Sequence, residues 1–429
     1  MRRSVGWGLG WLVVVALASP AAAAVADMRA ITLLSGRQEP VDGTARTVVP
    51  LYEMLSLSLS DPFTWEGWVE DVRLSLSGWG RVDIAGFDRH AAFDGDLQLA
   101  YVEARVARRL RVRVGRQLLT AGATRLLPMD GIHLEAEIAL GIGAAAYVGV
   151  PVKRRFVAQR GELVTGGRVF WRYDFDTEVG ASFLYMLNKG RVARQDLGID
   201  GRWAPWRDLI FSASAVLNTV EMRLAEADLH ATWRPFKQLE VAADYRHLAP
   251  DLFLPARSLY SVFSEESRNE VGALASWRPW SEFSATVDYH FLFDEAFTGH
   301  RATARLELFL GAGRADVVGT EIGILFDNDG FAGGGFAEDG YLHARLFGRH
   351  RLLEGLRLAG DVAATLLGRT RNGEAQALLA SASLDYAWAD NWQAVLTTLV
   401  GTSPFATYRF EIMAKLVFNG EVFAREVTP

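Results

Sequence analysis

The chain has 429 residues, of which 50% are hydrophobic and 11% aromatic, with no cysteine and a formal net charge of −6. A mildly acidic balance gives no basis for binding nucleic acid, and the lack of cysteine excludes a disulfide framework. No Pro/Ser-rich linker or long charge run divides the sequence, so its length reads as one fold.

Residues 1–26 have the layout of a secretory signal peptide. Arg2 and Arg3 form a basic start, LGWLVVVAL (9–17) is a short apolar stretch, and Ala24-Val25-Ala26 offers a small-residue cleavage site before Asp27. The chain is therefore expected to leave the cytoplasm. No later run approaches the ~20 apolar residues of a membrane helix. Residues 27–65 read as an N-terminal periplasmic segment, although LYEMLSLSLS (51–60) also alternates.

From residue 66 the sequence repeats at period two. In FSATVDYHFLF (283–293), Phe283, Ala285, Val287, Tyr289, Phe291 and Phe293 share one face, and Ser284, Thr286, Asp288 and His290 share the other. TYRFEIMAKLVF (407–418) alternates in the same way. Compact phrases, WAPWRDL (203–209), WRPFKQL (233–239), WRPWSEF (277–283) and WADNWQA (388–394), carry the chain from one such run into the next. Three of them contain proline, which suits a turn and not a ladder. Other connections are longer and more polar. This predicts an all-β, up-and-down antiparallel transmembrane β-barrel of about 18 strands, with 16–20 as the range, spanning 66–420. Residues 119–162 read as one long loop and 421–429 as a tail. If 51–60 and 142–150 also cross, the count is twenty. Trp203, Trp233, Trp277, Trp388 and Trp392 flank the short turns, where an interfacial girdle belongs.

RRLRVRVGRQLL (108–119) fixes the phase. Arginine at 109, 111 and 113 alternates with Leu110, Val112 and Val114. In a closed sheet successive side chains face lipid and lumen in turn, so the apolar set meets lipid and the arginines meet water. Slipping by one residue would put arginines in hydrocarbon at roughly 2–4 kcal/mol each near the midplane. Arg116 then falls on the lipid phase, which predicts a bulge at Gly115 or a place at the membrane rim.

The same parity lists the lumen. Glu103, Arg105, Arg111 and Arg113 come first, then Arg168, Arg172 and Arg202, and further on Arg305 and Arg345. Charges of both signs are interspersed, as in cross-strand ion-pair ladders. Arg111, Arg113, Arg168 and Arg172 are expected on neighbouring strands, forming an arginine-rich sector that contacts anionic solutes.

The stretch GRQLLTAGATRLLPMDGIHLEAEI (115–138) runs from a strand-ending Gly-Arg-Gln through a glycine-containing loop to Arg125 and then Asp130-Gly131. It resembles outer-membrane porins of the alginate-export type. The resemblance implies an eighteen-stranded barrel with a charged, arginine-containing lumen and constricting loops. It also implies that Arg116, Arg125 and Asp130 sit at the mouth or fold inward. Alginate itself is not carried over.

The function expected is a channel in the outer membrane of a Gram-negative bacterium, passing small polar and chiefly anionic solutes by diffusion. Its partners would be those solutes and outer-membrane lipid. The alternative is a barrel that sheathes a periplasmic or electron-transfer protein partner. Neither reading involves catalysis, a cofactor, a metal or nucleic acid. DNDGFAGGGFAE (327–338) echoes a calcium loop but lacks the oxygen ligand at its fifth position and the glycine at its sixth, and is read as an outer loop.

Overall fold

A computed structural model describes residues 25–41, 44–60, 68–85, 93–120, 122–124, 127–152, 162–174, 176–252, 267–294, 298–327, 340–371, 374–403 and 406–424. The proposed signal peptide up to residue 24 lies outside them. So do Arg125 and the loop residues Asp329 and Glu338 of the calcium echo.

The strands in chain order are β1 (Val25–Val41), β2 (Thr44–Val48), β3 (Pro50–Ser60), β4 (Val69–Asp83), β5 (Phe93–Val106), β6 (Leu110–Leu119), β7 (Leu127–Ala139) and β8 (Ile142–Pro151). Then come β9 (Leu163–Arg172), β10 (Glu178–Asn188), β11 (Arg191–Trp206), β12 (Leu209–Asn218), β13 (Arg223–Phe236), β14 (Leu239–Leu248), β15 (Arg268–Trp277) and β16 (Phe283–Phe293). The last are β17 (Thr298–Leu310), β18 (Asp316–Asp327), β19 (Tyr341–Leu353), β20 (Leu356–Arg371), β21 (Glu374–Ala389), β22 (Trp392–Ser403) and β23 (Ala406–Ala424). Apart from β2 and β3, which both pair with β1, each pairs antiparallel with its sequence neighbours, and β1 also pairs with β23. The sheet therefore closes and has no edge to expose to lipid. β2 and β3 are successive parts of one wall strand interrupted at Val49 and opposed by β1, so the wall has 22 strands.

All eighteen expected strands have a counterpart in the wall. Four wall strands lie in segments read otherwise. The segment 27–65, expected to be periplasmic, contributes β1 and the β2–β3 strand. The stretch 119–162, expected to be one loop, contributes β7 and β8. The eighteen-stranded expectation and the eighteen strands implied by the alginate-export resemblance are both corrected by these four. β23 also runs on to Ala424, inside the expected tail. The physical reason is contrast. In β8, IGAAAYVGVP, glycine and alanine occupy both faces, and alternation is almost invisible.

Parity in the folded wall is sharp. Val114, Ile132, Val148 and Val169 are 42–60% exposed on the outer face, and their neighbours Arg113, His133, Tyr147 and Arg168 turn inward. Around the outer face at the short-turn end lie Trp203 stacked on Phe211 (5.6 Å), Trp277 edge-on to Phe283 (6.3 Å), and Trp392 between Trp388 (5.9 Å) and Phe418 (4.9 Å). Phe291, Phe293, His300 and Phe326 make a second aromatic group towards the other end. Aromatic groups at the two ends of an apolar band fit the two interfaces of a membrane. The first residue of β1 and the last of β23 lie at the short-turn end. Connections at the opposite end are not uniformly long: Lys189-Gly190 alone joins β10 to β11, both residues at positive φ (51° and 74°), the geometry of a tight hairpin.

Candidate functional site in the lumen

Arginine and carboxylate alternate across the inward face of β5 to β11. On β6, Arg113 is 2.5 Å from Glu103 of β5, and Arg111 lies 3.9 Å from Glu103 and 3.6 Å from Glu135 of β7. Arg113 also stacks over the Tyr101 ring at 4.7 Å. On β9, Arg172 bridges Glu137 (3.0 Å) and Glu178 (2.7 Å), while Arg168 bridges Glu178 (2.7 Å) and Asp200. Arg105 pairs with Asp71 (2.9 Å) and Arg202 with Asp176 (3.3 Å), closer to the short-turn end. Each carboxylate tethers a guanidinium without consuming all of its N–H groups, so the arginines stay fixed while part of each faces the lumen.

The local sequence makes room for this. Gly180 of β10 stands where any Cβ would lie 2.6 Å from the Arg168 guanidinium, and its absence lets that side chain lie flat on the wall. Phe170, two residues on, turns inward as well, and both Arg168 (5.1 Å) and Arg172 (5.3 Å) rest over its ring.

A 3₁₀ turn, Gly122–Thr124, follows β6 and folds into the barrel against β10, β11 and β12. The Ala123 N–H donates to Ser182 Oγ at 2.7 Å. Gly198 of β11 allows the approach, since a Cβ there would sit 2.6 Å from the Ala123 nitrogen. Ala123 is fully buried, and with Leu119, Met129, Tyr147, Val164 and Leu184 it forms an apolar cluster inside the barrel. Ala249 and Leu252, at a second 3₁₀ turn (Pro250–Leu252), join the same cluster beside Val216 and Ala225. Next to Leu184, across the β10–β11 pair, Asp196 is fully buried and paired with Arg194. Beneath the first turn a cavity of about 200 Å³ is lined by Arg113, His133, Glu135, Tyr147, Arg168, Phe170 and Arg172, among others.

The remaining wall carries charges in the same phase. Arg305 lies 2.6 Å from Glu307, and Arg345 lies 3.2 Å from Asp361. Both guanidiniums stack on Phe347, at 4.7 and 5.2 Å. Between the two sectors, His290 is 2.8 Å from Glu270, 3.4 Å from Asp288 and 3.9 Å from Asp244.

Of the residues picked out from sequence, Glu103, Arg105, Arg111, Arg113, Arg168, Arg172, Arg202, Arg305 and Arg345 are inward. Arg125 lies outside the described residues. Asp130 is a correction: it shares the outward phase of Ile132 and Leu134 and binds Arg116 through two hydrogen bonds of 2.8 Å. Arg116 is outward too. The ladder passes Gly115 in register, so the expected bulge is absent, and the guanidinium instead reaches the Leu97 carbonyl at 3.0 Å. The arginine pairs are not on adjacent strands, because β7 and β8 separate β6 from β9. They nevertheless meet at one cavity, since β8 contributes only Ala145 and Tyr147 there. Sequence reasoning missed the inward aromatics Phe170, Tyr147 and Phe347, because rings were assigned to the lipid side. Their parity relative to Arg168 and Arg345 was the available signal. Among the described residues no group of three or more His, Cys, Asp or Glu side chains is arranged to hold a metal ion.

No known protein family matches the sequence, and no curated protein does. Among solved structures the chain is similar to a BenF-like porin from Pseudomonas fluorescens Pf-5, with 9% identity, 93% of this chain and 99% of that one covered, and a TM-score of 0.49. It is similar also to Acinetobacter baumannii OccAB2 (11% identity, 94% and 98% covered, TM-score 0.47). A third is the outer membrane protein opdK from Pseudomonas aeruginosa (12% identity, 93% and 99% covered, TM-score 0.46).

Proposed function

We propose that the chain is a porin of the Gram-negative outer membrane, a water-filled channel through which small polar solutes, anionic ones preferentially, diffuse passively. The observation that carries this reading is the convergence of Arg113, Arg168 and Arg172 on one cavity beneath the inward turn, with Glu135 as the single carboxylate among its lining residues. A solute carboxylate entering there meets guanidiniums already oriented by their own acidic partners. It can take up their remaining N–H groups in a planar, two-point contact. The wall carboxylates also weaken that contact, and a channel site must release what it binds. Successive arginines along the wall then offer successive weak sites.

The sheath reading needs an unobstructed bore. The 3₁₀ turn and the apolar cluster occupy the lumen side of β6 to β13, which favours small solutes over a protein partner. Alginate as the solute has no support in the segment that suggested it, because Arg116 and Asp130 bind each other on the outer face. The test is single-channel recording in planar bilayers, comparing wild type with Arg168→Ala/Arg172→Ala and Arg111→Ala/Arg113→Ala. Open steps with anion preference are expected in wild type, and the preference should fall in both double variants. A correctly folded barrel that never conducts overturns the reading.

A further inference from the structure

The charged ladders of the lumen break off at one place. On the inward face of β3 and β4 the facing pairs are Ser58 with Ser75, Ser56 with Ser77 and Met54 with Trp79, three successive rungs without a charge. Their phase follows from β1. Met54 faces Ile31, and Ile31 faces Val417, which is in step with the inward Glu411 and Lys415 of β23. A cavity of about 450 Å³ opens on this strip, and Arg29 of β1 is the single charged residue in its described lining.

Trp79 and Tyr52 lie side by side there, ring centroids 6.5 Å apart and planes tilted by 42°. Arg81 rests over Tyr52 at 5.7 Å, whereas among the described residues no guanidinium covers Trp79. In the arginine sectors the inward rings Phe170 and Phe347 each carry two. One rung along from Trp79, the Ser56 and Ser77 hydroxyls are 2.9 Å apart. Gln98 arrives from β5 through a bulge: Ser77 pairs with Leu99 and Gly78 with Leu97, so the ladder passes over Gln98 and the bulge aims its exposed side chain at the cavity. Among the described residues, neither the Gln98 amide nor the Arg29 guanidinium has a hydrogen-bond or ion-pair partner on the protein.

An uncovered ring bordered by amide, guanidinium and hydroxyl groups matches a molecule that is apolar on its face and polar around its rim. We propose that this strip is a second solute site, for a neutral sugar in its pyranose form. Its C–H face stacks on Trp79, and its hydroxyls bond Ser56, Ser77, Gln98 and Arg29. The site presupposes the open channel proposed above. Charge and shape select this class of solute. An anion meets three guanidiniums at the arginine cavity and one here. A planar aromatic solute would cover Trp79 and gain nothing from the rim, and an open-chain polyol has hydroxyls but no rigid apolar face. A sugar held by one ring and a few hydroxyls, all in contact with water, is also released readily, as passage requires.

The test is ion current through single channels of the full protein in planar bilayers, with D-glucose or D-mannitol added. Both are uncharged and nearly equal in size, and only glucose closes into a ring. In wild type, glucose should reduce the current in a saturating manner, and mannitol only in proportion to the viscosity it adds. Trp79→Ala should raise the half-saturating glucose concentration by about tenfold. Ser56→Ala/Ser77→Ala keeps both rings and should raise it by a smaller factor, which decides the matter if Trp79→Ala does not fold. Arg168→Ala/Arg172→Ala should leave it unchanged. Equal effects of glucose and mannitol on a conducting wild type overturn the sugar site and leave the channel reading standing. So does a saturating glucose effect that the Trp79 and serine variants leave unaltered. A folded barrel that never conducts overturns both.

Discussion

Two sectors of the lumen are built from one device and finish differently. In Arg168-Val-Phe170 on β9 and Arg345-Leu-Phe347 on β19, arginine and phenylalanine share the inward face, the guanidinium lying about one ring-contact away at 5.1 and 5.2 Å. Each phenylalanine lies over a glycine of the preceding strand. A Cβ at Gly143 or at Gly319 would come within 2.3 Å of the ring, so both glycines are spaces that the rings fill. Each arginine reaches a carboxylate on the following strand, Glu178 or Asp361. Yet the Arg168 side chain is 13% exposed and that of Arg345 is 38%. The wall is alike in the two places. What differs is the cover: the Gly122–Thr124 turn overlies the first sector, and among the described residues no turn overlies the second. Burial of charge in this barrel is set by a docked loop, and the strands supply only direction.

The covered sector should accordingly be far more sensitive to loss of a charge. Asp196 is the extreme case, fully buried against Arg194, with no equivalent among the described residues of the second sector. Asp196→Ala removes a fully buried carboxylate from beside the Arg194 guanidinium, and should lower stability by about 3–5 kcal/mol. Urea unfolding of the refolded protein in detergent measures this. A loss below about 1 kcal/mol, the range of exposed pairs, would show that water reaches the pair and that the sector is not closed.

This asymmetry marks the limit of what sequence could show. Alternation specified eighteen strands and the inward phase of Arg111, Arg113, Arg168 and Arg172, because a charged residue every second position has one place to go in a membrane wall. The same rule, applied backwards from Ile132 and Leu134, would have turned Asp130 outward, but the likeness of 115–138 to a loop motif took precedence. β8 was legible only as the alternative crossing over 142–150, for a different reason: Gly143, Ala144, Ala145 and Ala146 give both faces nearly the same small side chains. Neighbourhood was lost with it, since overlooking β7 and β8 makes β6 and β9 adjacent. The docked turn left no periodic trace at all. Its seat consists of Ser182 and Gly198, two ordinary strand residues whose role exists only once the loop arrives.

That seat gives a way to convert one sector into the other. Gly198→Val places a branched side chain where the Ala123 backbone now rests, so the turn must withdraw or the strand must shift. Crowding of this kind costs roughly 1–3 kcal/mol. The wall should survive, because Gly198 pairs with Ser182 and Val216 through its backbone, which the substitution leaves in place. With the turn displaced, single-channel conductance should rise and Arg168 should become as accessible as Arg345. Unchanged conductance in a folded variant would mean that the turn does not narrow the path.

The smallest effects compare the arginines directly. Arg168→Ala removes a guanidinium that two carboxylates, Glu178 and Asp200, share at part-buried positions; Glu178 keeps Arg172, and Asp200 loses the ion pair. About 1–3 kcal/mol of stability should be lost, as for a charged hydrogen-bonding group left without its partner. Arg345→Ala uncovers Asp361, which retains a 3.0 Å hydrogen bond from the Ser381 hydroxyl, and the guanidinium it removes is the more exposed of the two. Its cost should fall within about 0–1 kcal/mol. The two should also separate in salt. A screened pair loses its Coulombic contribution as ionic strength rises while a covered one keeps most of it, so the Arg345→Ala difference should vanish at high salt and the Arg168→Ala difference should persist. Equal losses with equal salt dependence would place the two arginines in the same environment. The cover over the first sector would then have to be read as a loop that rests on the wall without excluding water from it.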